Sequence, residues 1–243
     1  MRLVVCEYLR DIHKGCLEVS DVGRGRNDVD WRVHAILDPD FVQGDALERA
    51  RALMAAGVGV LQLRDKRGDA RKTFELGRAL VEAARGCQTL IIINDRLDVA
   101  MAASAHGVHL GPNDLPVAAA RRLVGDRLII GASAGNSERA GALVAEGADY
   151  LGVGAIFEAR AVKSDASSPQ GPELLRAVRR EVGASLPVVG IGGIDVQNAG
   201  QVAEAGASGV AVIRALCQAD DPQAATSRLR DAFDRGLELA RSH

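Results

Sequence analysis

Short β-rich runs alternate with segments of helical length eight times between about Trp31 and the end of this chain. The intervening segments, such as ALERARALMAA and PELLRAVRREV, repeat apolar residues every three or four positions, which is typical of amphipathic helices. This alternation indicates parallel strands joined by helical crossovers. It therefore predicts an α/β protein with a single (β/α)8 TIM barrel. The predicted strands lie near residues 32–37, 58–64, 89–94, 107–111, 128–133, 150–154, 187–192 and 209–214.

The first 30 residues do not follow this alternation, and the stretch GRGRNDVD at 23–30 has the composition of a linker. We therefore expect a short N-terminal extension at residues 1–30 and a catalytic barrel domain at residues 31–243.

Composition excludes several functional classes. A net charge of -2 gives the chain no bulk attraction to nucleic acid or to an anionic membrane. The longest apolar runs, TLIII and LPVVGI, are far shorter than the roughly 20 residues of a membrane span. The four cysteines, none of them in CxxC spacing, suit reduced thiols, so we expect a cytoplasmic protein. The sequence is compatible with either a monomer or a homo-oligomer.

Polar residues follow the second predicted strand in VLQLRDKR. Alternation along an extended chain sends Gln62, Arg64 and Lys66 to one side, where they would line the C-terminal mouth of the barrel. Active sites of this fold lie at that mouth. A basic strand end that faces solvent is the alternative.

The third and fourth strands end on carboxylates. IIINDR brings Asn94 and Asp95, and HLGPNDLP brings Asn113 and Asp114. Because successive strands are neighbours, the two acids should converge beside the cations of the second strand. Two carboxylates beside two cations suit a Mg²⁺-bound pyrophosphate, since Mg²⁺ takes few protein ligands besides phosphate oxygens. The alternatives are self-neutralising ion pairs and an N-cap role for Asp114 in a helix that starts at residues 115–116.

A second anion site is indicated by GIGG at residues 190–193, at the end of the seventh strand. Loops after the seventh and eighth strands form the usual phosphate pocket of this fold, so Gly192, Gly193 and Arg214 are candidates. A tight turn without a ligand is the alternative. Two phosphate sites at one mouth suggest a transfer between two phosphorylated substrates.

The motifs QLRDK, IINDR, GVHLGPNDLP, IIGASAGNSERA, GADYLGVGAIF, PVVGIGGI and GVAVI, in this order, resemble the thiamine-phosphate synthase family over about residues 31–235. That family joins an aminopyrimidine methyl diphosphate to a thiazole phosphate, or to its carboxylate with loss of CO₂. It releases pyrophosphate and uses Mg²⁺.

The resemblance also implies roles for individual residues. It implies diphosphate binding by Arg64, Lys66 and Asn94, and Mg²⁺ binding by Asp95 and Asp114. It implies pyrimidine contacts from Gln62 and Gly111, a pyrophosphate hydrogen bond from Ser133, and a thiazole phosphate site at Gly193, Ile213 and Arg214. The reaction needs no protein nucleophile and little proton transfer, so His34 and His109 are expected to be core residues.

The loop after the sixth strand departs from the family. GAIFEARAVKSDASSPQG stands where the family has GPIFPTxTK, and alanines occupy positions 159 and 161, where the family has threonines that bind pyrophosphate. Lys163 replaces the family lysine only with a shift of one residue. A related thiazole tautomerase and a noncatalytic phosphate-binding barrel are therefore the alternatives. Tautomerases use a His where this chain has Ala155 and usually lack the metal carboxylates, so Asp95 and Asp114 favour the synthase.

Overall fold

The computed structural model describes residues 29–158 and 168–242. Eight parallel strands close into a barrel in sequence order, each hydrogen-bonded to the next and β1 to β8. The predicted (β/α)8 architecture is therefore confirmed. The strands are β1 (Val33–Leu37), β2 (Val60–Leu63), β3 (Leu90–Asn94), β4 (Gly107–Leu110), β5 (Ile129–Ala134), β6 (Tyr150–Val153), β7 (Val188–Ile191) and β8 (Gly209–Val212).

Helices cover the outside of the barrel within the described ranges. They are α1 (Ala46–Ala55), α2 (Ala70–Ala83), α3 (Leu97–Ala102), α4 (Val117–Val124), α5 (Ser137–Ala145), α6 (Pro172–Val182), α7 (Ala199–Glu204), α8 (Arg214–Cys217) and α9 (Pro222–Arg241). Asp45 and Asp69 accept from backbone N–H groups at the starts of α1 and α2, which satisfies donors that a helix leaves unpaired. Among the described helices, none is both long and apolar enough to cross a membrane.

The strand ends differ in detail from the sequence prediction. The eighth strand was expected to reach Arg214, but it ends at Val212. Ile213 turns the chain with φ -103° and ψ -81°, and Arg214 begins α8. This prediction was wrong because the apolar run VAVI continues through Ile213, so the residue types do not show where the strand ends. Of the predicted extension, residues 1–28 lie outside the described part of the chain.

Aromatic rings fill the N-terminal end of the barrel. Trp31 precedes β1 and Tyr150 begins β6, and their ring centroids lie 4.7 Å apart. Tyr150 also needs the glycine on the adjacent strand, because a Cβ on Gly131 would lie 2.1 Å from the Tyr150 ring. Both rings are buried, so this end of the barrel is closed.

Candidate active site

A cavity of about 1000 Å³ lies at the C-terminal ends of the strands. Gln62, Arg64 and Lys66 all line it, as the alternation along β2 predicts. Gln62 and Arg64 are buried, and Lys66 extends toward solvent. The basic strand end therefore faces the cavity, and the alternative of a strand end directed only at solvent is wrong.

Arg64 is held by an acid that the sequence analysis did not single out. Its Nη1 donates to Oδ2 of Asp38, which lies directly after β1, and the two side chains are only 10% and 3% exposed. Asp38 also accepts from the Asp40 backbone N–H at 3.1 Å, which fixes the carboxylate on the other side. The pair is consequently an ordered part of the cavity wall. The signal was available, since Asp38 follows a strand just as Asp95 does.

Asp95 lies in an uncommon backbone conformation for a non-glycine residue, with φ 66°. Its N–H donates to His109 O at 2.8 Å, which anchors the turn to the neighbouring strand. In this turn the Asp95 carboxylate accepts from Lys66 Nζ at 2.5 Å. Local strain of this type is frequent at functional sites, where the surrounding structure maintains it.

Asp114 meets Asp95 across the β3–β4 boundary. The Asp95 carboxyl group lies close enough to act on the pKa of Asp114, and Asp114 Oδ2 accepts from Gly111 N at 2.7 Å. Burial raises the pKa of Asp114, and so does the nearby Asp95, while the Gly111 N–H opposes the shift. The expected convergence of the two acids is therefore observed. The N-cap alternative for Asp114 is wrong, because α4 begins at Val117 and no side chain caps it.

The donor set at this corner fits a hard divalent ion. Asp95 and Asp114 supply carboxylate oxygens at one edge of the cavity. Within residues 29–158 and 168–242, no three His, Cys, Asp or Glu side chains form a metal-binding group. Zn²⁺ sites normally need three or four protein ligands, whereas Mg²⁺ accepts one or two carboxylates together with water and phosphate. The residues present therefore fit Mg²⁺ better than Zn²⁺.

Polar side chains continue down the barrel interior. Gln62 Nε2 donates to Asn94 Oδ1 at 2.7 Å, and Gln62 Oε1 lies 2.9 Å from His34 Nε2. Across the cavity, His109 bridges Ser133 Oγ and Tyr150 Oη, both at 3.0 Å. His34 and His109 are buried, as expected for core histidines, but both also line the cavity.

The opposite wall of the cavity is made by backbone. Gly192 and Gly193 have φ 102° and 61°, and Asn198 Nδ2 donates to Gly193 O at 2.9 Å. Both glycines line the same cavity as Ile213 and Arg214. A loop in this conformation can present backbone N–H groups to an anion. The structure thus brings the predicted residues of β7 and β8 together, with Arg214 on a helix and not on a strand.

The loop after β6 is described as far as Glu158. Phe157 N donates to Gly192 O at 3.0 Å, so the start of this loop packs on the glycine turn of β7. Ala155 and Glu158 both line the cavity. The predicted Lys163, with the alanines at 159 and 161, lies outside the described residues.

Comparisons with known proteins are consistent with this geometry. A family model described as thiamine monophosphate synthase matches residues 33–216. The thiamine-phosphate synthase of Moorella thermoacetica is 46% identical over 206 residues, covering 84% of this chain and 97% of that protein. The thiamine-phosphate synthase of Chloroflexus aurantiacus is 44% identical over 203 residues, covering 83% and 92%.

A solved structure of similar fold is that of thiamine phosphate pyrophosphorylase from Pyrococcus furiosus. It has 35% sequence identity and a TM-score of 0.77, and the match covers 87% of this chain and 98% of that one.

Proposed function

The chain belongs to the thiamine monophosphate synthase family, and on that premise we propose that it joins an aminopyrimidine methyl diphosphate to a thiazole phosphate, or to its carboxylate with loss of CO₂. The products are thiamine phosphate and pyrophosphate. The observation that carries the proposal is the division of one cavity into a carboxylate and cation corner at β2–β4 and a glycine turn at β7–β8.

The charge balance at the first corner supports a Mg²⁺-dependent diphosphate site. Two cations face three carboxylates there, so the corner has one net negative charge when all are ionised: Arg64 and Lys66 against Asp38, Asp95 and Asp114. A diphosphate would be repelled by such a corner. A divalent cation held by Asp95 and Asp114 reverses the sign, and the guanidinium and ammonium groups can then bind phosphate oxygens.

The glycine turn supports the thiazole phosphate site. A Cβ at Gly192 would lie 2.8 Å from Ala155, and one at Gly193 would lie 2.5 Å from Glu158 O, so only glycine lets this turn pack on the start of the loop after β6. The positive φ of both residues lets the turn present backbone N–H groups to an anion. Ile213 and Arg214 follow β8, the neighbour of β7, and line the same cavity, so the Arg214 guanidinium adds a positive charge on this side. A monophosphate bound here lies away from the carboxylates of β3 and β4, so two anionic substrates can be bound together.

The reaction follows from these two sites. The carbon–oxygen bond of the pyrimidine substrate breaks, its electron pair leaves with pyrophosphate, and the thiazole nitrogen lone pair forms the new carbon–nitrogen bond. Arg64 and Lys66 stabilise the negative charge on the departing group, and Ser133, oriented by His109, can donate a hydrogen bond to it. When bound, Mg²⁺ neutralises part of that same charge. Gln62 and Gly111 line the same cavity, where they would contact the pyrimidine ring.

The deciding experiment is incubation of the purified full chain with both substrates and Mg²⁺, followed by an assay for thiamine phosphate and pyrophosphate. We expect both products in equal amounts, and their loss when EDTA is added. Isomerisation of the thiazole without coupling would instead identify a tautomerase. Binding of both ligands without turnover would identify a phosphate-binding barrel.

We also propose a cytoplasmic location, which free thiols at Cys87 and Cys217 support. Fractionation of cells with an antibody against the chain tests this, and recovery from a secreted fraction would reject it.

A further inference from the structure

A buried histidine is hydrogen-bonded to the first of two linked side-chain amides in the candidate active site. His34, the second residue of β1, is 2% exposed. Its Nε2 lies 2.9 Å from Gln62 Oε1 on β2, and Gln62 Nε2 lies 2.7 Å from Asn94 Oδ1 on β3. These three neighbouring strands thus hold a hydrogen-bonded chain that runs from the barrel interior to the cavity mouth.

The protonation state of His34 follows from its surroundings. Burial, and to a lesser extent the nearby His109, lower its pKa to about 3, and the bond to Gln62 opposes the shift only in part. The ring is therefore neutral near pH 7 and has a single N–H. Its Nδ1 has no hydrogen-bond partner among the described residues. Because a buried N–H without an acceptor is rarer than an unpaired acceptor, the proton belongs on Nε2.

This tautomer fixes the orientation of the two side-chain amides. An Nε2–H group requires an oxygen from Gln62, so the Gln62 amide directs its nitrogen to Asn94. The Asn94 oxygen accepts that hydrogen bond and so faces Gln62, and the Asn94 NH₂ group is the part of the amide left to donate to a ligand. If the tautomer were reversed, both amides would turn over, and the Asn94 oxygen would face the mouth beside the Asp95 carboxylate.

We propose that His34 is a positioning residue that orients the Gln62 and Asn94 amides so that Asn94 presents N–H donors to the diphosphate. The inference rests on the proposed function for the identity of the anion. The orientation of the Gln62 and Asn94 amides does not depend on that function. Nothing in this role requires His34 to touch a substrate or to exchange a proton.

The tautomer is tested directly on the wild-type chain by long-range ¹H–¹⁵N correlation spectroscopy of histidine-labelled protein. The chain has five histidines, and the signals of His34 are those lost in His34→Gln. We expect a neutral ring protonated on Nε2 at pH 7. A ring protonated on Nδ1, or a charged ring, overturns the proposal whether or not the chain is a synthase.

Two substitutions test the functional consequence. His34→Gln keeps an N–H donor near the position of Nε2, whereas His34→Leu is of similar size and has no donor. We expect His34→Leu to raise the KM for the pyrimidine diphosphate about tenfold, and His34→Gln to change it by no more than about twofold. The KM for the thiazole phosphate should stay unchanged in both, which a general loss of folding would not produce.

Binding of inorganic pyrophosphate with Mg²⁺, measured by calorimetry, gives the same comparison without turnover. Weaker binding by His34→Leu alone supports the proposal even if no thiamine phosphate is formed. Equal binding by the wild type and both variants overturns it.

Discussion

Lys66 Nζ donates to Asp95 Oδ2 across 2.5 Å, so the ammonium group occupies a carboxylate oxygen that we propose as a Mg²⁺ ligand. A metal held by Asp95 would compete with the ammonium for that oxygen. It would then leave the Lys66 charge for a diphosphate. In the proposed site, this exchange would let a corner rich in carboxylates accept an anion.

Asp95→Asn should lower kcat/KM for the Mg²⁺-dependent coupling by roughly a hundredfold or more, because it removes one of the two proposed charged metal ligands. Binding of the thiazole phosphate, measured by calorimetry, should change little, since the site proposed for that phosphate is on the opposite wall. Asp98→Asn is the control, because Asp98 is exposed and pairs with Arg96. Equal losses of coupling and thiazole phosphate binding in Asp95→Asn would reject the division of the cavity into two sites.

Asp38→Asn should destabilise the protein by about 3 kcal/mol, because it leaves the buried Arg64 guanidinium without its counter-charge. The same change should raise the KM for the pyrimidine diphosphate roughly tenfold, since Arg64 loses the group that orients it. Asp40→Asn is a matched control, because Asp40 pairs with Arg67 at the surface, where an ion pair contributes about 1 kcal/mol or less. Chemical denaturation and steady-state kinetics measure both effects, and similar losses in the two variants would contradict the assigned role of Asp38.

Gly193→Ala should raise the KM for the thiazole phosphate about tenfold while leaving the KM for the diphosphate close to wild type. Residue 193 has φ 61°, and a Cβ there would lie 2.5 Å from Glu158 O, so the turn must shift. Gly183→Ala provides a control for backbone strain alone, since Gly183 also has a positive φ but has no atom within 4 Å of the added Cβ. Gly183→Ala should lose about 1–2 kcal/mol of stability from backbone strain, Gly193→Ala should lose more because of the added contact with Glu158 O, and only Gly193→Ala should alter kinetics. A thiazole phosphate KM that is unaffected in Gly193→Ala would exclude this turn from the phosphate site.

The buried His34 should make stability fall as the solution becomes acidic. Its pKa is about 3 in the folded protein against an ordinary value of 6.5, so the unfolded chain binds a proton that the folded chain does not. This contribution is fully present above pH 6.5 and is lost as the pH falls toward 3, with a slope of up to about 1.4 kcal/mol per pH unit. Urea denaturation from pH 7 to about pH 4.5 should show a smaller slope for His34→Gln than for wild type. Parallel curves would show that His34 becomes protonated in the folded state.

The sequence predicts the barrel well because each strand is a short apolar run. The helices between the strands repeat apolar residues at every third or fourth position. Alternation along β2 also placed Gln62, Arg64 and Lys66 on one wall, since a strand has only two faces. The convergence of Asp95 and Asp114 followed from the neighbouring positions of β3 and β4. These features depend on periodicity and on strand order, which a single sequence contains.

Contacts between side chains were harder to predict. The partner of Arg64 is 26 positions away at Asp38, and the position of that acid directly after β1 does not predict which cation it pairs with. Asp114 has the position and residue type of an N-cap, but the chain continues to Val117 before the helix starts and the carboxylate turns back to Gly111. Rotamers and turn geometry decide such contacts, and they depend on the packed barrel.

The paired rings of Trp31 and Tyr150 close the barrel interior at its N-terminal end. Everything that reaches the strand ends must arrive and depart by the same route. Both substrates and both products therefore share one opening at the C-terminal ends of the strands. The closed end of the barrel thus limits exchange with solvent to that opening, some distance from the rings that close the other end.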